Sequence, residues 1–75
     1  MNMLLTVISA QYLRPGERHV YTMNNGAVFE ELPHLPLRLG VRCYDVAGHR
    51  IYKTAVINEM KAAVKRHKEK WRLAK

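Results

Sequence analysis

Apolar positions recur in this chain with two different periods, and the change of period divides it. Ile57, Met60, Val64, His67 and Trp71 follow one another at alternating steps of three and four. That spacing places them on one stripe of a helix with about 3.6 residues per turn, which Val56 and Ala63 widen. No Pro or Gly interrupts residues 54–75. Thr54 is the expected N-cap, its hydroxyl accepting from one of the first unpaired N–H groups. Such a helix is a rod of roughly 30 Å, so its last turns should reach beyond a core of this size.

Before the helix the period is two. Residues 37–46 alternate most clearly, with Leu37, Leu39, Val41 and Cys43 on one side and Arg38, Gly40, Arg42 and Tyr44 on the other, the mark of a strand with one buried face. Residues 3–13 begin with Leu4, Leu5, Thr6, Val7 and Ile8, apolar on both faces, and read as a central strand covered on both sides. Residues 18–23, 27–32 and 50–55 supply three further segments. The breaks between them have mechanisms. Arg14-Pro15-Gly16-Glu17 suits a type II turn, because Pro presets φ and Gly accepts a positive one. Asn25-Gly26 is the preferred pair for a type I′ hairpin. Pro33 and Pro36 keep the stretch around His34 out of a ladder.

The hairpin around Gly48 has a readable register. A two-residue loop, Ala47-Gly48, would pair Tyr44 with Ile51 and mix the faces. A three-residue loop, with Gly48 left-handed in a G1 bulge, sets Cys43 opposite Ile51, Arg42 opposite Tyr52 and Tyr44 opposite Arg50. The core side then stays apolar. The expected fold is a single α+β domain, strand-rich over residues 1–53 and helical over 54–75. In it a small antiparallel meander or partly closed barrel of about five strands packs against one C-terminal helix. Leu39, Val41, Cys43, Ile51, Met60 and Val64 should be buried together.

Composition changes this picture in one respect. The chain has 75 residues and a net charge of +7, and the charge is unevenly placed. Residues 1–60 hold six bases against five acids, and residues 61–75 hold seven bases against one acid. Lys61, Lys65, Lys68 and Arg72 make a cationic stripe flanking the apolar one. Cations near a helix C-terminus complement the helix dipole, so a solvated basic face explains part of this. The surplus points to a polyanionic partner, either nucleic acid (RNA or DNA) or an acidic protein surface. The lone Cys43 forms no internal disulfide, no apolar run approaches the ~20 residues of a membrane span, and residues 1–13 lack the basic start of a secretory leader. A cytoplasmic protein without a membrane partner is expected.

The candidate chemistry sits on two surfaces. The chosen register collects Arg42, Tyr44, Arg50 and Tyr52 on the exposed sheet face, with Arg38 further along. Tyr rings stack on unpaired bases and Arg binds phosphate, although the same residues also build a stabilising cross-strand ladder. The helix stripe Lys61, Lys65, Lys68 and Arg72 is the second surface. The two act as one site if they face one partner. Trp71, on the apolar stripe, belongs to the core, the alternative being an exposed anchor for a partner.

No cofactor or metal is expected: His19, His34, His49 and His67 fall in different segments, and no pair has ligand spacing. A metal-free ribonuclease would need a base, an acid and a phosphate clamp; His49, Arg50 and Tyr52 supply the residue types but no ordered motif. The sequence therefore indicates a small non-enzymatic regulatory protein that binds nucleic acid or a ribonucleoprotein. The competing reading is an inhibitor or adaptor, of the kind phages and plasmids carry, that docks its basic helix on an acidic or nucleic-acid-binding surface of a target protein.

Overall fold

The structure, a computed structural model, describes residues 4–14, 16–36 and 39–73, with the backbone alone over 71–73. Five antiparallel strands, β1 (Val7–Tyr12), β2 (His19–Met23), β3 (Val28–Glu31), β4 (Val41–Tyr44) and β5 (Arg50–Ile51), are followed by one helix, α1 (Thr54–Leu73). The strands lie in chain order in one sheet. This is an open meander, not a barrel: among the described residues β1 and β5 have no strand on their outer sides. The fold is α+β, as the change of period predicts.

Strand alternation assigns the two faces. Tyr21, Met23, Phe29 and Cys43 point to one side and are buried against Met60, Ala63 and Val64 of α1. Val41, Ile51, Val56 and Ile57 are partly buried around them. The helix crosses the strands from β5 toward β1. It starts just after β5, packs Met60 and Val64 at the centre, brings His67 to Tyr21 of β2, and reaches Leu5, ahead of β1, with Arg66. The Lys53 carbonyl accepts from the Ile57 N–H at 3.0 Å, so Lys53 takes the capping position and Thr54 is the first residue inside the helix.

Several expectations need correcting. Residues 4–13 do not form a doubly covered central strand: β1 is an edge, paired with β2 alone and largely exposed. Local apolarity on both faces cannot reveal strand order, which the short hairpins decide by laying the strands side by side in sequence. Leu39 is 62% exposed, and the strand around it starts only at Val41. The Pro36 carbonyl accepts from both the Leu39 and the Gly40 N–H, each at 2.8 Å, closing a turn that removes Leu39 from the ladder. Leu37 and Arg38 lie outside the described residues. β5 is shorter than the segment 50–55, because the helix begins at Thr54.

The 43–51 register is the one inferred: Cys43 pairs with Ile51 and Tyr44 with Arg50, with Gly48 at φ +88°. The Asn-Gly hairpin takes the same form in place of type I′. Gly26 is left-handed at φ +88° while Asn25 is not. The Met23 N–H bonds the Ala27 carbonyl at 2.8 Å across a three-residue loop. Asn25 Oδ1 accepts from the Ala27 N–H at 3.0 Å, which suits a type I turn with a G1 bulge.

Candidate nucleic-acid interface

The residues singled out for binding divide into three groups once their neighbours are known. The division starts from Glu30 and Glu31. Adjacent strand positions face opposite ways, so each side of the sheet receives one acid.

Glu30 lies on the face turned away from the helix and is only 7% exposed. Arg18 reaches its carboxylate at 2.8 Å and Arg42 at 3.8 Å. Arg42 is therefore tied to a nearly buried acid inside its own sheet. Glu31 lies on the helix side and gathers three donors. Lys68 Nζ is 2.6 Å from it, His19 Nδ1 is 3.1 Å away and the Tyr21 hydroxyl donates at 3.4 Å. His19 Nε2 accepts from the Gly16 N–H, which leaves the ring proton on Nδ1 for Glu31. Burial pushes the Glu31 carboxyl up, but hydrogen bonds from Lys68 and His19 and their charges more than offset it and hold the group below its ordinary range. Burial first, and then the Glu31 charge, raise the Tyr21 phenol far above its ordinary value, so it remains a donor. Lys68 thus belongs to a structural cluster.

The second group keeps its charges available at one corner. Arg50 lies between two rings, 5.9 Å from the centre of Tyr44 and 5.3 Å from that of Tyr52, within cation–π range. Tyr52 is 77% exposed. Arg50, Lys53, Lys61 and Lys65 are exposed and have no carboxylate partner among the described residues. Arg50 and Lys61 are also the two cations whose charges bear on the buried Cys43 thiol. Burial pushes Cys43 up, and the charges of these two residues act against it. β5 is followed by α1 through Tyr52 and Lys53, so along the chain the two surfaces adjoin here, Arg50 on the sheet and Lys61 and Lys65 on the helix. Arg42 and Tyr44 extend away from this corner on the face opposite the helix.

The third group is outside the described side chains: Arg72 of the stripe, and with it Trp71. The residues considered for RNA cleavage do not converge. His49 Nδ1 faces Asp45 Oδ2 at 3.7 Å within the hairpin loop, whereas Arg50, the next residue, turns to the other side with Tyr52. Among the described residues no three His, Cys, Asp or Glu side chains gather as a metal site, and no helix is long and apolar enough to cross a membrane.

Sequence reasoning missed the two carboxylate hubs, although the Glu30-Glu31 pair inside a strand is a usable signal, since period two sends one acid to each face. It also missed Asn24. Its Nδ2 donates to the Leu4 carbonyl at 3.0 Å and its Oδ1 accepts from the Thr6 N–H at 3.3 Å, fastening the segment before β1. No family model, no curated protein and no solved structure matches this chain.

Proposed function

We propose that the protein is a non-enzymatic regulatory module that binds single-stranded nucleic acid, free or within a ribonucleoprotein, along a surface made of Arg50, Tyr52 and Lys53 at the β5–α1 junction and of Lys61 and Lys65 on α1. One observation carries this reading: among the described residues Arg50, Lys53, Lys61 and Lys65 are left without carboxylate partners, while Glu17, Glu30, Glu31 and Asp45 each have a cationic or histidine neighbour within the fold. Of these cations, Arg50 precedes the exposed ring of Tyr52 along the chain and the three lysines follow it, while Arg66 and Lys70 lie at the β1 end. Lysines along a helix flank bind phosphates in succession, and Tyr52 backed by Arg50 offers a stacking surface for an unpaired base.

The test is a titration of fluorescent oligothymidylate, oligouridylate and duplex DNA at several salt concentrations. With about four phosphate contacts, log K for the single strands should fall with log salt at a slope near −2.8. Changing Lys61 and Lys65 to Gln should flatten that slope by about 1.4. Tyr52→Ala should weaken single-strand binding by ~1–3 kcal/mol and leave the slope unchanged. Absence of binding even at low salt would overturn the proposal and leave the same cations to an acidic protein surface.

A further inference from the structure

The opposite end of the molecule carries a feature that nucleic-acid binding does not use. Between β1 and α1 runs a groove of about 780 Å³, walled by β1 and its approach on one side and by Ala63, Arg66, His67 and Lys70 on the other. Its strand wall includes three large exposed apolar side chains, Leu4 (65%), Ile8 (66%) and Tyr12 (52%). The β1–β2 register shifts between Val7 and Ser9. This bulge at Ile8 brings it into the groove wall together with Val7.

Among the described residues the backbone at this edge has no strand partner either. Met23 bonds Ala27 across the β2–β3 hairpin, and Asn24 N–H bonds the Thr6 carbonyl on the other side. By alternation, Thr22 and Val20 bond Ser9 and Gln11 of β1, so the N–H and C=O of Ala10 and Tyr12 point outward from the sheet. Their side chains lie on the groove side. A sequence suited to a covered strand is thus held at an open edge, beneath a cationic rim. Local pattern and global position disagree here, and such disagreements mark functional surfaces.

We infer that this groove takes up an extended segment of a protein partner in which apolar and acidic residues alternate. The segment adds a sixth strand along β1. Its backbone pairs with Ala10 and Tyr12, its apolar side chains lie against Leu4, Ile8 and Tyr12, and its carboxylates meet Lys70 and Arg66. Charge selects this occupant over a second copy of the chain. Residues 4–13 are uncharged and each copy carries +7, so edge-to-edge pairing of two copies would bring two Arg66 and Lys70 rims together with no acid on either strand to offset them.

The experiment uses the full chain, isotope-labelled, with a blocked peptide of alternating Val and Glu; a Val/Lys peptide and an oligouridylate are the comparisons. Exchange of the Ala10 and Tyr12 amides should slow on addition of the Val/Glu peptide, and neither comparison should slow it. Lys70→Glu, on the exposed helix flank, should weaken the Val/Glu peptide by about fivefold, the scale of an exposed ion pair replaced by repulsion. Ile8→Asp should remove binding. The inference is overturned if the two amides stay unprotected, if the Val/Lys peptide protects them equally, if protection rises with protein concentration alone, or if oligouridylate produces it. Binding at the β5 corner is read by salt slope and Tyr52, so either proposal can fail without the other.

Discussion

The two edges of the sheet are made of opposite materials. β5 is two residues long, begins with Arg50 and is followed by Tyr52 and Lys53. β1 is six residues long, and no charged residue occurs between Leu4 and Leu13. A short, charged edge discourages further strands, while a long apolar one invites them. One small sheet therefore combines a cationic corner, where a phosphate chain is proposed to bind, with an apolar lip, where a peptide strand is proposed to add. The difference teaches that exposure by itself does not define a site. Lys68 and Arg42 are exposed yet held by Glu31 and Glu30, whereas Lys61 and Lys65 are exposed with no carboxylate partner among the described residues.

The comparison breaks altogether if the helix leaves the sheet, since Met60 and Val64 anchor both edges. Met60 is fully buried, and Met60→Ala should cost ~2–4 kcal/mol in urea unfolding, mostly through the cavity left behind. A cost under ~0.5 kcal/mol would mean that the apolar stripe does not carry the two-layer core.

A smaller effect separates the edges. Gly26 and Gly48 occupy the same position in two three-residue loops, both at φ +88°. A Cβ on Gly48 meets nothing within 4 Å, while one on Gly26 would lie 2.7 Å from Val46 Cγ2. Gly48→Ala should therefore cost about 1 kcal/mol, from the left-handed backbone alone, and Gly26→Ala about 2 kcal/mol. Amide exchange should show Gly48→Ala loosening β5 while the Ser9 and Gln11 pairing with β2 holds. Equal costs for the two substitutions would show that Val46 yields freely.

The smallest effect sharpens the contrast at β1. Ile8→Thr should change stability by less than ~0.5 kcal/mol, because the side chain is mostly exposed. A loss above ~1.5 kcal/mol would place Ile8 in the core and close the groove.

Much of this architecture was legible in the residues. The helix follows from the spacing of Met60, Val64 and His67, and the Cys43–Ile51 register follows from keeping one face apolar around Gly48. Both depend on contacts between neighbours in sequence, where period and turn chemistry act directly. The cationic surplus was equally plain, because charge is a property of composition. The candidate site was legible as a set of residue types, and its division was not. Whether a lysine has a partner depends on which strand passes beneath it, and Lys68 meets Glu31 across 37 positions of chain.

What the sequence by itself determined, then, is the kind of each element and the surplus of positive charge, since backbone sterics and side-chain periodicity act over a few residues. The tertiary structure alone decided that the most apolar strand lies at an edge, that Leu39 turns outward, and that Glu30 and Glu31 hold Arg42 and Lys68. These outcomes depend on strand order and on the path of the helix across the sheet. The first is laid down by successive hairpins, and the second is set by the packing of Tyr21, Met23, Phe29 and Cys43 against Met60 and Val64, contacts between residues far apart in the chain.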